Sequence, residues 1–333
     1  MLSGKIDHGS NVAAISGDGS CTVYMMENET GRGTMTCYQV LPGIDLVFND
    51  FRMQSCVSEF RTEMDMLGID YCRQGRIEWN FRHGACLYLG ERDLQVGTRE
   101  KHTGTFGFPL GYYQGITLAV YMEEACRTLS SSLGGLSIDL PGLRESFCHG
   151  GRTFIRRADE AIQPIFSQLY NVPGRLKQDY FKVKALELLL FLSTVDVPAD
   201  GNERPYFPGK RVETVKAIMK FLAENLERRF TVDELSLRFM ISPTALKECF
   251  KGVYGSPLHA YMRAYRMQAA AELLRQSGDS VATIAAKVGY DNASKFAAAF
   301  KAVIGAPPQA YRNFMSEWSE ALPDGVDEAR TNL

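Results

Sequence analysis

"FKGVYGSPLHAY" begins at Phe250, and fifty positions later "FKAVIGAPPQAY" begins at Phe300. Seven positions match in register: Phe250 with Phe300, Lys251 with Lys301, Val253 with Val303, Gly255 with Gly305, Pro257 with Pro307, Ala260 with Ala310 and Tyr261 with Tyr311. Each copy runs from an apolar helical end through a glycine suited to a left-handed helix stop into a proline that opens the next helix. Two copies are too few for a solenoid, so the repeat reads as a duplicated helical module.

The residues before each copy complete it. Thr231 followed by Glu234 is a capping box, and Val232, Leu235 and Phe239 give the short helix it starts an apolar face. A tight turn at "FMIS" leads to a second helix from Pro243, with Leu246, Cys249 and Phe250 inward. In the second copy Ser280 is the cap, Val281, Ile284, Ala285 and Val288 the inner face, Gly289 the turn, and Phe296 with Phe300 the anchors. Alignment of the copies needs one extra residue near Asp291. Between them "PLHAYMRAYRMQAAAELLRQ" reads as one helix of about 18 residues, roughly 27 Å long, which holds two helix-turn-helix modules about one DNA turn apart.

Charge follows the repeat. Residues 211–312 hold 15 Lys and Arg against 9 Asp and Glu, a net of +6, whereas the rest of the chain carries 22 against 30, a net of -8. A basic excess confined to one small region is what a polyanion-binding surface requires.

Upstream the period changes. Residues 20–122 show short alternating segments such as "YCRQGRIEWNF", "GACLYLGERDLQVG" and "GITLAVYM", separated by glycine turns, which predicts antiparallel strands in a barrel or sandwich. From Glu123 to Val195 apolar residues recur at three-and-four spacing in "DEAIQPIFSQLY" and "DYFKVKALELLLFLSTV", which predicts helices. "DVPADGNERPYFPGKR" then reads as a linker. The fold class expected is α+β: a β-rich domain over 1–122, a helical dimerisation segment over 123–195, a linker over 196–210, an all-α domain over 211–312 and an acidic tail over 313–333. In the dimerisation segment Phe181, Leu186, Leu189, Leu190 and Leu192 supply apolar surface for a homodimer, with the core of the amino-terminal domain as its other cover.

With 333 residues, 45% hydrophobic and 23% charged, the composition is that of a globular two-domain protein. The start "MLSGKIDHGS" has no apolar core of a secretion signal, and the longest apolar run, Leu186 to Val195, is too short to span a bilayer. A cytoplasmic protein is expected. Eight cysteines without C-x-x-C or zinc spacing read as reduced thiols, and five dispersed histidines, among them His83 and His102, suggest no metal site and no cofactor.

The stretches "SPTALKECFKGVYGSPLHAYMRAYRMQAAAELL" and "IAAKVGYDNASKFAAAFKAVIGAPPQAYR" strongly resemble the DNA-binding domain of AraC/XylS-type transcription regulators over about a hundred residues. The resemblance implies binding of double-stranded DNA, transcriptional control, usually activation with RNA polymerase as partner, and an amino-terminal domain for effector binding or dimerisation. By the family pattern, contacts to DNA fall on Ser242, Thr244, Ala245, Lys247, Glu248 and Lys251, and on Asn292, Ala293, Ser294, Lys295, Ala297, Ala298 and Lys301. Glu248 departs from the family's common arginine, so an operator shared with other members is not implied.

The amino-terminal part is similar, more weakly, to the cupin-like sensor region of regulators that respond to iron–siderophore complexes. No His and Glu set stands at cupin metal spacing, so metal binding is not carried over. Tyr88, Phe106, Phe108, Tyr112 and Tyr113 are candidates to line a small-molecule pocket, with the β-sheet core as their other place. A dimerisation domain without ligand is the alternative. A cupin-type enzyme is a remoter one, since no metal triad or acid–base pair is visible. A DNA-repair alkyl acceptor would need more than the Cys148–His149 pair in "FCHGG".

Overall fold

The computed structural model describes residues 6–17, 21–80, 84–99, 101–132, 138–151, 153–197 and 206–321. His83, residues 198–205 of the expected linker and residues 322–333 of the expected acidic tail lie outside them. The chain divides into two compact units, Met1–Gly209 and Lys210–Leu333.

The described residues of unit 1 form thirteen strands: β1 (Ile6–Asp7), β2 (Val12–Gly17), β3 (Cys21–Asn28), β4 (Gly31–Leu41), β5 (Ile44–Arg52), β6 (Ser55–Thr62), β7 (Met66–Asn80), β8 (Ala85–Gly90), β9 (Asp93–Thr98), β10 (Lys101–Gly107), β11 (Tyr112–Tyr121), β12 (Phe154–Arg157) and β13 (Phe207–Pro208). Its helices are α1 (Met122–Ser132), α2 (Leu140–Cys148), α3 (Gln163–Leu169) and α4 (Lys177–Leu192). The hydrogen-bonded order is β1-β6-β10-β7-β11-β5-β4-β3-β2, with β8 and β9 branching from β7 and carrying β13 and β12 at their outer edges. All pairs are antiparallel, and the long β7 gives its first half to β9 and its second to β8. The result is an antiparallel β half-barrel.

Both faces of the central strands are covered, and the two-residue period divides them. On β5, β7 and β11 one face carries Ile44, Leu46, Ile69, Tyr71, Ile116, Leu118 and Val120. This face packs on Ala125 of α1, Leu143 and Phe147 of α2, Phe166 of α3 and Phe181, Leu188 and Leu189 of α4. Tyr71 stacks on Phe166 with ring centroids 4.3 Å apart. Each such buried aliphatic or aromatic side chain contributes about 1.5–3 kcal/mol. The opposite face is lined by Phe51, Cys72, Ile77, Phe106, Phe108 and Tyr113.

This packing corrects two expectations for residues 123–195. The stretch is not wholly helical: β12 pairs with β9, and four residues are too few to show a strand period. Nor do its leucines stand free as a dimer surface. Phe181, Leu189 and Leu192 are buried under the sheet and Leu186 packs half-buried against the same core, because α4 covers the sheet face; of the five named only Leu190 is exposed. The apolar residues that α4 and its cap leave exposed are Leu176, Val183, Leu190 and Phe191.

Unit 2 continues from α5 (Gly209–Glu224) through α6 (Val232–Phe239), α7 (Pro243–Tyr254), α8 (Leu258–Gln276), α9 (Val281–Lys287), α10 (Ala293–Ile304) and α11 (Pro308–Ala321). Met267, Ala270 and Leu274 of α8 meet Ile284 and Ala285 of α9 and Phe296 and Phe300 of α10 in one core. At the α9–α10 turn Gly289 has φ +75°, and a Cβ there would fall 2.8 Å from the Leu226 carbonyl oxygen. Gly289→Ala is therefore expected to destabilise the chain by about 1–3 kcal/mol, the cost of a left-handed non-glycine residue plus that contact. Denaturant melts of both proteins check it, and an unchanged midpoint would refute it.

Candidate functional site

The repeated phrase is a repeated geometry. Ser242 caps α7, accepting from the Ala245 amide at 3.3 Å, and Asn292 caps α10, accepting from the Lys295 amide at 2.9 Å. Each helix runs 12 residues and stops at a left-handed glycine, Gly255 or Gly305, whose amide donates to the Lys251 or Lys301 carbonyl at 2.9 Å. The next helix folds back so that Phe250 meets Tyr261 edge to face at 5.7 Å, and Phe300 meets Tyr311 likewise at 5.6 Å. The shared Phe, Gly, Pro and Tyr are thus the parts that fix the exit of α7 and α10.

The preceding helices are set by their own caps. The Thr231 amide donates to Glu234 Oε2 at 2.7 Å and the Glu234 amide to Thr231 Oγ1 at 3.1 Å, closing a capping box. Ser280 accepts from the Thr283 amide at 3.1 Å. Met240 closes α6 in the left-handed region at φ +51°, fully in solvent, where the second pair uses Gly289.

With their inner faces held by Leu246, Phe250, Phe296 and Phe300, α7 and α10 present the predicted residues outward. Thr244, Lys247, Glu248 and Lys251 are exposed on α7, with Ala245 half-buried. Ala293, Ser294, Lys295, Ala298 and Lys301 are exposed on α10, with Ala297 half-buried. Ser242 and Asn292 are exposed as well, with their side-chain oxygens engaged in capping. Sequence reading missed the arginines that join the two helix pairs. Arg229 donates to the Gly289 carbonyl at 2.9 Å and lies over the Tyr290 ring at 4.5 Å, while buried Arg266 donates to the Arg228 carbonyl at 2.7 Å. Part of the basic excess in 211–312 is therefore structural.

In unit 1 the face of the half-barrel turned away from the helices lines a cavity of about 230 Å³. Phe106, Phe108 and Tyr113 line it, and Phe51 stacks on Phe108 at 5.1 Å. Tyr88 and Tyr112 are not on its wall: the Tyr88 hydroxyl donates to buried Glu78 at 2.6 Å, and Tyr112 sits under Arg52 at 5.7 Å. Sequence reading also missed the cavity's polar groups. Asp70 accepts from Thr117 Oγ1 at 2.7 Å and is ion-paired with Arg99, and Asn49 donates to Thr117 at 3.0 Å. Arg99 reaches Asp70 across Gly68, where a Cβ would fall 2.6 Å from its Nε. Asp45 also lines the cavity, held by the Tyr121 hydroxyl; burial, opposed by that hydrogen bond and aided by Glu124, pushes its carboxyl up to about 6. Burial likewise raises the Tyr24 hydroxyl, with Cys37 and Asp45 adding to it.

None of the eight cysteines forms a disulfide. Burial pushes the Cys148 thiol up to about 11, against the pull of Arg144, and His149 Nδ1 lies 2.6 Å from Glu145. Among the described residues no group of three or more His, Cys, Asp or Glu is placed to hold a metal ion, and no helix is long and apolar enough to cross a membrane.

A helix-turn-helix domain family model matches residues 235–313. The chain is 37% identical over 100 residues to the F1 operon positive regulatory protein of Yersinia pestis, covering 30% of this chain and 33% of that one. It is 31% identical over 98 residues to the HTH-type transcriptional activator AarP of Providencia stuartii, covering 29% of this chain and 73% of that one. Among solved structures, the DNA-binding domain of AdpA in complex with a target DNA is 24% identical with a TM-score of 0.31, covering 34% of this chain and 98% of that one. The chain thus spans only a third of the Yersinia relative's own length. With the capped helix pairs and the matches falling on the same residues, the chain belongs to the AraC/XylS-type DNA-binding transcription regulators.

Proposed function

We propose that this regulator is an activator that reads its operator with two helix-turn-helix modules, α6–α7 and α9–α10, and that the amino-terminal unit senses a small molecule and pairs two copies. The observation that carries the first part is the matched pair of 12-residue helices, each capped at its start and locked at its end by the same ring pair. The 19-residue α8 between them spans about 28 Å, close to one helical repeat of DNA. RNA polymerase is the partner of an activator, and the cytoplasm the place where it works.

The modules are unequal readers. Thr244 and Lys247 on α7 carry donors for base edges, whereas Ala293, Ala297 and Ala298 on α10 offer at most a methyl contact to thymine. Lys295 and Lys301 suit phosphate. Glu248 accepts from cytosine and repels phosphate, which sets this operator apart.

Effector sensing is supported by the cavity, whose walls come from the inner face of one continuous sheet. About 230 Å³ suits a molecule smaller than a ferric siderophore. Pairing is supported by Leu176, Val183 and Leu190, exposed at seven-residue spacing as in a helix–helix seam.

DNA titrations across salt concentrations, with operator selection from a randomised pool, test the reading. A steep log–log salt slope is expected, reduced by about one unit in Lys301→Ala with the preferred sequence unchanged. Lys247→Ala is expected to relax one half-site, at a cost of about 1–3 kcal/mol on its preferred base. Equal information content in both half-sites of the wild-type motif would refute the unequal reading, and a flat slope would refute phosphate-driven binding.

A further inference from the structure

The charged groups on the cavity wall do not balance. Three carboxylate or guanidinium side chains reach it: Asp45, Asp70 and Arg99. Arg99 is taken by Asp70, which Thr117 also satisfies. Asp45 is 9% exposed and has one hydrogen-bond donor, the Tyr121 hydroxyl; the charged residue acting on it, Glu124, is itself acidic. Among the described residues no cation compensates it. Burying a carboxylate without a partner is costly, and a group held in that state inside a cavity is poised for a countercharge from outside.

The surroundings suit one kind of countercharge. Tyr24 and Tyr121 line the cavity with Asp45, and the Tyr24 ring lies tilted against His8 with centroids 4.2 Å apart. Burial keeps His8 below its ordinary titration range, so it supplies no positive charge at neutral pH. A carboxylate among aromatic rings is the arrangement that holds an ammonium group. Further along the wall Met26, Met35, Phe51 and Phe108 are apolar. The volume exceeds the roughly 150 Å³ that admits benzene, and so fits one aromatic ring with a short chain.

We propose that the cavity binds a small primary amine with a compact aromatic or hydrocarbon body, its ammonium group beside Asp45 and its apolar end among Met26, Met35, Phe51 and Phe108. An anionic ligand of the same size would meet Asp45 without a free cation to offset it. This rests on the reading that the cavity takes the effector.

Calorimetric titration of the full chain with 2-phenylethylamine, 2-phenylethanol and 3-phenylpropanoate at pH 7.5 tests it, because the three differ mainly in head-group charge. The amine is expected to bind at least tenfold more tightly than the alcohol, and the acid least. In Asp45→Asn, which keeps size and the Tyr121 hydrogen bond, amine affinity is expected to fall to that of the alcohol while the alcohol is unaffected. If the alcohol or acid binds as tightly as the amine, or if Asp45→Asn leaves amine affinity unchanged, the amine assignment is wrong and the effector cavity stands. If none of the three binds, the small-molecule reading of the cavity fails with it.

Discussion

Leu189→Lys is expected to yield a chain whose amino-terminal unit does not fold, whereas Val183→Lys is expected to yield a folded chain that lacks the proposed pairing. The two positions lie six residues apart on α4 and differ in environment: Leu189 is 0% exposed and Val183 60%. At Leu189 a lysine would place an ammonium group against Phe181, Leu188 and the sheet face, losing the leucine's packing and gaining an unpaired buried charge. Each effect costs several kcal/mol, and a total of at least about 4–5 kcal/mol is a large part of the stability of a typical domain. At Val183 the ammonium group stays in water, so folding is kept and the effect falls on the outer stripe with Leu176 and Leu190. Circular dichroism and sedimentation of both variants separate the outcomes. A folded monomer from Leu189→Lys would return that residue to an interface, and an unaltered dimer in Val183→Lys would remove the stripe from it.

How far the sequence could be read follows from which signals are local. Caps, left-handed glycines and helix-opening prolines act within a few residues, so Thr231, Pro243, Ser280, Gly255 and Gly305 stand where their chemistry predicts. The duplicated phrase made this doubly legible, since each copy checks the other. Apolar residues on α4 were legible as helical and ambiguous as to partner, because a leucine stripe is written alike whether a sheet or a second subunit covers it. The helix is apolar on more than one side, and only the sheet's position shows which side is core.

The cavity's polar wall was harder to see. In "IDLVFND" from Ile44, Asp45 and Asn49 share one face of the strand, and polar residues on one face ordinarily mark a strand with that face in water. Here the polar-bearing face lines the cavity, and the pairing of Asp70 with Arg99 joins residues that only the β7–β9 register brings near. The aromatic candidates had the same limit. Phe106, Phe108 and Tyr113 reach the cavity while Tyr112, one residue from Tyr113, faces away, as the two-residue period requires.

Asp45→Asn is expected to stabilise the unliganded chain at pH 7.5 by about 3 kcal/mol, with the gain disappearing on acidification. In the folded chain burial holds the Asp45 carboxyl at about 6, against 3.8 for an ordinary aspartate. At about 1.4 kcal/mol per unit, a rise of roughly two units makes the ionised form cost about 3 kcal/mol. The sign follows from proton binding. Between pH 4 and 6 the folded state holds the proton that the unfolded state has released, so acidification through 6 removes the cost, and above 6 it is present in full. Asparagine fills the same space without charge and keeps an acceptor for Tyr121, so its advantage over wild type is large above pH 6 and absent near pH 4. Tyr24, Cys37 and Tyr121, which neighbour Asp45 together with Glu124, are raised by burial and stay neutral throughout this range. Subtracting the variant from the wild type cancels every group that does not feel the Asp45 charge, so the pH-dependent difference reports on Asp45 and its coupling to Glu124. Denaturant unfolding of both chains at several pH values measures it. A difference that does not change between pH 4.5 and 7.5 would mean that the carboxylate is solvated in the folded protein, which would remove the unbalanced charge on which amine recognition depends.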